Sequence, residues 1–340
     1  MKAIRLEEPG RLALLSTEPV SAKIGPDEAL VRVRRIGVCG TDIHAFKGNQ
    51  PFFSYPRILG HELGVEVVAV GSASQNVGLD DRCSVEPYLN CGICVACRRG
   101  KPNCCINLQV LGVHTDGGMR ELLVVPSRKL HPSKTLTLDQ LALIETLAIG
   151  CHAVDRARME PGEFALVIGA GPIGLAVMQF ALEAGAQVIV LDINPQRLEF
   201  CRTQFGVPYT VNAASENPLA ALQSITAGEL PTAVFDATGS PQSMAKAFEY
   251  PAHGGRLTFV GLFPGDLTFN DPNFHRRELM VLASRNARSE DFVRIIALIE
   301  AKRIDTAPWI THRASLTDVV SEFPLWAKPE SGVIKAMIEL

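Results

Sequence analysis

The sequence carries no excess of positive charge: 33 lysines and arginines stand against 36 aspartates and glutamates, a formal net charge of −3. A basic field for nucleic acid or anionic lipid is therefore absent. No apolar run reaches the roughly 18 residues that a membrane-spanning helix needs. The opening stretch, Met1-Lys2-Ala3-Ile4-Arg5-Leu6-Glu7-Glu8, has no uninterrupted apolar segment after its charges, so an export signal is not expected. There are no internal repeats and no low-complexity linker. A soluble, cytoplasmic protein without nucleic-acid or membrane partners is expected.

What is present divides into two textures. At 340 residues the chain is too long for one compact core and is expected to form two domains. Residues 1–146 read as short strands between Gly/Pro/Asp turns, a mostly antiparallel β pattern. Ala29–Ile36 alternates for much of its length, and Val65–Val70 is a second strand, closed by Gly71. Over 147–285 strands alternate with amphipathic helices, the signature of βαβ units around a parallel sheet. The expected strands are Phe164–Ile168, Gln187–Leu191, Ala233–Asp236, Arg256–Val260 and Leu279–Ala283, with a helix from Ile173 to Ala184 ended by Gly185. Residues 286–340 hold one helix, Glu290–Ala301, and two strand-like segments, Ile310–His312 and Gly332–Glu339. That tail is too small for a domain and is expected to return to the first one.

Nine cysteines are many for a cytosolic chain. Five fall between Cys91 and Cys105, and crowded cysteines in a reducing compartment are more often metal ligands than disulfides. Cys91, Cys94, Cys97 and Cys105 give C-x2-C-x2-C-x7-C. Four thiolates on one loop suit tetrahedral zinc and leave no open position, so the metal is structural. An iron–sulfur cluster is the rival reading. Cys104 beside Cys105 leaves the fourth ligand open on spacing alone. Arg98, Arg99 and Lys101 make the loop a solvated one, a poor place to bury thiols without a metal.

A second metal set comes from two segments, Gly37–His44 and Gly60–Gly64. Cys39, His61 and a carboxylate together form an open zinc set. Glu62 and Glu145 are the carboxylates on offer. Glu145 lies in the apolar run Leu141–Ile149, where an ionised carboxylate is costly without a cation beside it. That argues for Glu145 as a ligand, directly or through water.

The dinucleotide signal is Ala165–Gly174, a buried strand running into G-x-G-x-x-G and then a helix. Gly169 allows the tight turn, Gly171 lets the backbone approach a pyrophosphate, and Gly174 lets helix and strand pack closely. Pro172 and Ile173 complete the turn, and the helix N-terminus faces the phosphates. Asp192 ends the second strand where a carboxylate accepts ribose hydroxyls. Its charge disfavours the 2′-phosphate of NADP, while Arg197, one turn later, tolerates it.

Together these residues resemble the zinc-containing medium-chain dehydrogenase/reductase superfamily over essentially the whole chain. The matching strings are Gly37–His44, Gly60–Gly64, Cys91–Cys105, Val167–Gly174 and Asp236–Gly239. The resemblance implies an α/β fold, a GroES-like β-rich catalytic domain (1–146 and 286–340) with a Rossmann doubly wound parallel-sheet domain (147–285) inserted. In the family's lobe loop the last ligand stands two residues after an asparagine, here Asn103, which selects Cys105. It implies Cys39 and His61 as ligands of a catalytic zinc and Glu145 in the third position. Liver alcohol dehydrogenase has cysteine there, whereas the sorbitol and threonine dehydrogenase branch carries an acid. Glu62 would exchange as a ligand or act behind the metal, and Asp42 would fix the His61 ring. Thr41 matches the proton-relay hydroxyl and His44 the relay's exit to solvent. Thr238, Gly261 and Ser284 would complete the NAD site. Two zincs per chain and a homodimer or homotetramer are implied as well.

The resemblance also implies the reaction. Zinc lowers the pKa of a secondary alcohol, and hydride passes to nicotinamide in the cleft between the domains. Three strings, Gly48–Pro56, Gly112–Gly118 and Ala283–Ala287, look closest to sugar-acid and polyol dehydrogenases, particularly the L-galactonate 5-dehydrogenase-like and starvation-sensing branch. Arg285 matches an arginine directed at substrate and would grip a carboxylate. His114, Arg120 and the aromatic residues Phe52, Phe53 and Tyr55 are further candidates. An aldonate such as L-galactonate, oxidised at a secondary carbon, is the expected substrate, with a polyol or L-threonine as runner-up. A zinc-free quinone-type reductase would lack Cys39, His61 and the lobe cysteines. A non-catalytic NAD-sensing regulator would be marked by a lost ligand or relay residue, yet Thr41, His44 and Glu145 remain.

Overall fold

A computed structural model describes residues 1–18, 24–51 and 53–340. The chain divides into two compact units, Met1–Thr146 with Ala287–Leu340, and Leu147–Asn286.

The first unit is built on a seven-stranded sheet. Its order is Leu130–Pro132, Arg82–Val85, Glu62–Val70, Glu28–Gly37, Lys335–Glu339 and Ile310–Ser315, and Leu122–Pro126 also pairs with Glu28–Gly37. The pairings are antiparallel except the last, Ile310–Ser315 with Lys335–Glu339. The tail therefore supplies two strands of this sheet. In Glu28–Gly37, Val31, Val33 and Ile36 point into the core. Strict alternation fails because the register shifts between Val33 and Arg35, the mark of a bulge. Arg34 and Arg35 are both half-buried as a result, and Arg35 Nε donates to Asp139 Oδ1 at 2.8 Å. Leu59, Leu63, Met119 and Phe323 fill the centre. The strand expected from Val65 begins already at Glu62. The last strand begins only at Lys335, because Gly332 turns left-handed (φ 68°) after a short 3-10 turn.

The second unit is a six-stranded parallel sheet. Its order is Tyr209–Asn212, Gln187–Asp192, Phe164–Ile168, Ala233–Asp236, Arg256–Phe259 and Met280–Ala283. In chain order this is 3-2-1-4-5-6, a doubly wound sheet that reverses direction beside its first strand. Tyr209–Asn212 was not among the expected strands. It is four residues long with only Val211 buried, so it offers no apolar run to read. The helix after the first strand starts at Pro172, because a fixed φ and a missing N–H suit the first helical position. Residues Gly174–Ala181 of that helix are all buried. Leu166, Ile189, Val234, Leu257 and Phe248 form the core around the sheet. No helix among the described residues is long and apolar enough to cross a membrane.

Candidate functional site

In the first unit the strand register sets Gly37 opposite Glu62. The turn leaving one strand therefore lies beside the residue entering the other. A side chain at Gly37 would have to displace the Glu62 carboxylate, since a Cβ there would stand 2.0 Å from Glu62 Oε2. Cys39 caps the short helix Gly40–Phe46, and its N–H donates to Asp42 Oδ2 at 2.9 Å. His61 is buried, with Nδ1 3.7 Å from Asp42 Oδ1. The ligand atoms of Cys39, His61 and Glu62 lie within 4.8 Å of one another.

Glu145 lies outside that trio, buried on the helix Leu138–Ala157. Its Oε1 accepts from the Tyr88 hydroxyl. Both oxygens of Glu62 accept from Lys335 Nζ, at 2.6 and 2.7 Å, and the ammonium also reaches Val38 O and Thr146 Oγ1, each at 3.2 Å. Lys335 and Tyr88 were not anticipated as site residues. The signal for Lys335 is a lone charge inside Val333–Ile338, and that for Tyr88 is a phenol placed just before the cysteine loop.

The electrostatics of this pocket ask for a cation. Burial alone would raise Glu62, but Lys335 and His61 hold its carboxyl below the usual range. Burial pushes Glu145 up against the pull of His61, and Glu62 adds to the rise. Burial alone would lower His61, yet Asp42, Cys39 and Glu145 drive it well above the usual range. Three carboxylates and a thiol thus stand around one lysine, and this surplus of acid is what pulls the imidazole upward. A divalent ion on Cys39 and His61 reverses that logic. Nδ1 of His61 and Oδ1 of Asp42 have no hydrogen-bond partner among the described residues. A histidine that ligates through Nε2 carries its proton on Nδ1, facing such a carboxylate. The donor set therefore fits zinc.

Thr41 and His44 lie three residues apart on the helix Gly40–Phe46, Thr41 half-buried and His44 exposed. The loop carrying His114 packs on the residue before His61: a Cβ at Gly112 or Gly117 would meet Gly60 backbone at 2.8 and 2.3 Å. His114 Nδ1 accepts from Val110 N–H at 3.1 Å. Arg120 is half-buried, and the Tyr55 hydroxyl donates to Ala45 O at 2.5 Å. Phe52 lies outside the described residues.

The sulfurs of Cys91, Cys94, Cys97 and Cys105 lie within 4.8 Å of one another, while Cys104 is exposed and outside the group. Cys91 and Cys105 are 3.4 Å apart, Cys94 and Cys97 3.5 Å. Zinc–sulfur bonds of about 2.3 Å set tetrahedral thiolates about 3.8 Å apart, close to these spacings. An iron–sulfur cluster would place its own irons and sulfides between the thiolates and spread them. The N–H groups of Cys97 and Ile106 hold the Cys94 thiol down to about 6, which favours the ligating thiolate.

In the second unit Gly169 is left-handed (φ 94°) and Gly171 caps the helix Pro172–Glu183. A Cβ at Gly174 would stand 1.7 Å from Gly169 O, so this packing admits only glycine. Asp192 accepts from Ala170 N–H at 2.6 Å and Asn194 N–H at 2.8 Å, which ties the acid to the glycine turn. Arg197 Nη1 lies 3.8 Å from where a Gly171 Cβ would be. Thr238 packs on Gly169, and Gly261 abuts Gly239. Ser284 N–H donates to Phe259 O at 2.9 Å. Arg285 is exposed and belongs to this unit.

An acidic pocket whose donors suit a metal in one unit and a glycine turn on a doubly wound sheet in the other are the parts of a metal- and dinucleotide-dependent oxidoreductase. The alcohol dehydrogenase GroES-like domain family matches residues 25–135, and the zinc-binding dehydrogenase family matches residues 172–301. The chain is 44% identical to L-galactonate-5-dehydrogenase of Escherichia coli K12 over 289 residues, 85% of each chain. It resembles the alcohol dehydrogenase RspB of E. coli CFT073, solved with NADH, with TM-score 0.92 and 28% identity over 100% of this chain and 99% of that one. A zinc-binding dehydrogenase of Sinorhizobium meliloti 1021, solved with NADP, gives TM-score 0.90 and 28% identity over the same shares. The chain belongs to the zinc-type medium-chain dehydrogenases. Its fold is a GroES-like domain joined to a Rossmann domain, and its chemistry is that of an alcohol dehydrogenase using zinc and NAD(P).

Proposed function

We propose that the chain oxidises a secondary alcohol of a sugar acid, an aldonate such as L-galactonate, with NAD as acceptor. The reading is carried by the relative that bears the name L-galactonate-5-dehydrogenase, whose likeness extends over most of both chains. It is supported by the Cys39–His61–Glu62 group, in which His61 and Glu62 are buried and Cys39 half-buried, and by its surplus of acid. One zinc is held by Cys39, His61 and an acidic third position, Glu145 with Glu62 as its competitor. A second belongs to Cys91, Cys94, Cys97 and Cys105.

Zinc in this pocket supplies Lewis acidity that eases ionisation of the substrate hydroxyl, and the nicotinamide accepts hydride. The chain's own groups do the rest. Asp42 keeps the His61 ring oriented, and Lys335 neutralises Glu62 so that the pocket's charge is not carried by carboxylates alone. Thr41 takes the hydroxyl proton and His44 delivers it to water. Gly169, Gly171 and Gly174 let backbone N–H groups meet the pyrophosphate, and Asp192 accepts the ribose hydroxyls and repels a 2′-phosphate. Thr238, Gly261 and Ser284 line the rest of that site. Arg285 grips the substrate carboxylate, and His114 assists in binding substrate. The protein acts in the cytoplasm as a homodimer or homotetramer.

A screen of aldonates, polyols and L-threonine, following NADH formation, tests this. An aldonate is expected to be preferred, and Arg285→Ala to lower its kcat/KM about 10–100-fold, the worth of a charge-assisted hydrogen bond. A polyol or L-threonine as the preferred substrate overturns the sugar-acid reading. Two zincs per chain with no turnover on any of these favours an NAD sensor.

A further inference from the structure

Tyr88 is almost wholly buried, and its hydroxyl is the one hydrogen-bond partner of Glu145 among the described residues. It sits on a two-residue strand, Tyr88–Leu89, that pairs with Gln109–Val110 and places Tyr88 opposite Val110. This pair closes the base of the cysteine loop, and Leu111 N–H tightens it on Pro87 O at 3.1 Å. The residues that follow reach the sulfurs: Asn90 Nδ2 lies 3.7 Å from Cys97 Sγ, and Cys91 N–H donates to Cys105 Sγ at 3.3 Å. On its other side, Tyr88 meets the ring of Phe292 edge-on, with centroids 6.5 Å apart. Phe292 stacks on His131 at 4.9 Å, and His131 Nε2 lies 3.2 Å from Glu86 Oε2. Glu86, two residues before Tyr88, also holds Lys129 and Ser289 Oγ, the latter at 2.6 Å. The phenol is therefore fixed from both directions along the chain.

Packing fixes the stem of a buried glutamate but leaves the terminal carboxylate torsion broad, so a donor on one oxygen sets where the other points. Tyr88 is that donor, and it occupies Oε1 only, which leaves Oε2 for a cation. We propose that Tyr88 is a positioning residue for the catalytic metal: its hydroxyl aims Glu145, and the base of the cysteine loop aims Tyr88. This inference rests on reading Cys39, His61 and Glu145 as a metal site. It makes the cysteine loop a support for the catalytic pocket through a single phenol.

The test compares the full-length wild-type holoenzyme with Tyr88→Phe, which keeps the ring and removes the donor. Release of the catalytic metal to a chromogenic chelator is expected to be about 10–100-fold faster, matching the affinity usually lost with a partner behind a ligand. With cobalt in the catalytic site, the visible absorption bands are expected to shift, while the cysteine loop keeps its own metal. The same substitution in a Glu145→Ala background is expected to change release by less than about twofold, as for a group acting only through Glu145. Unchanged release and cobalt bands in Tyr88→Phe overturn the proposal. So does an equal acceleration with and without Glu145, which would make Tyr88 merely structural. If Glu145→Ala holds no catalytic metal, the cobalt bands of Tyr88→Phe decide alone. A wild-type chain with metal only in its cysteine loop would instead overturn the metal-site reading itself.

Discussion

Lys335 Nζ lies 2.6 and 2.7 Å from the two carboxylate oxygens of Glu62, and neither side chain is exposed. A buried pair of this kind contributes little net stability, but breaking it strands the surviving charge. Lys335→Met is therefore expected to lower the unfolding free energy by about 3–5 kcal/mol. Lys335→Arg keeps the charge and is expected to lose less. Glu62→Gln combined with Lys335→Met leaves no orphaned ion, so it too is expected to lose less than Lys335→Met alone. Urea denaturation of the four proteins at pH 7 checks this. A loss in Lys335→Met within the range of an ordinary surface substitution would contradict it.

Much of the fold was legible because it is written locally. The glycine turn, the strand before it and the cysteine loop each lie within about a dozen neighbouring residues, where spacing alone constrains backbone and ligands. The burial of a charge at Glu145 was legible for a different reason, its place inside an apolar run. Lys335 was not, because its partner Glu62 is 273 residues away and only the return of the tail into the first sheet joins them. Tyr88 and Glu145 are 57 residues apart, Glu86 and Lys129 43. Nothing in periodicity marks such pairs before strand order is known. The strand Tyr209–Asn212 was hidden by its place at the sheet edge, where only Val211 is buried.

The metal pocket makes a separable prediction. Cys39→Ser or His61→Ala removes a donor from the Cys39–His61–Glu62 group without touching the cysteine loop. By elemental analysis the wild type is expected to hold two zincs per chain and each variant to retain one. The kcat/KM is expected to fall more than about a thousandfold, the kinetic equivalent of several kcal/mol of lost charge stabilisation. Far-ultraviolet circular dichroism is expected to be unchanged. Two zincs per chain in His61→Ala, or turnover near that of the wild type, would contradict the assignment.

Acid is expected to weaken the second unit through Glu163. Its Oε1 accepts from Arg256 Nη1 at 2.9 Å and from Thr232 Oγ1 at 2.7 Å. Its Oε2 accepts from Arg256 Nη2 and from Glu160 N–H, the latter at 2.8 Å. Burial alone would raise this carboxyl, but Arg256, Glu160 N–H and Thr232 hold it below the usual range. A carboxylate depressed on folding adds stability that is fully present above its unfolded pKa of about 4.3. That stability is lost as pH falls through the lower folded value, because the unfolded chain takes up the proton first. In Glu163→Gln the contribution, about 1 kcal/mol after solvent screening, is missing already at pH 7. The variant's stability should therefore fall less steeply below about pH 5, and the two acid limbs should converge. Denaturation midpoints measured from neutral pH into that range decide it, and limbs that stay parallel would show that Glu163 titrates alike in the folded and unfolded chain.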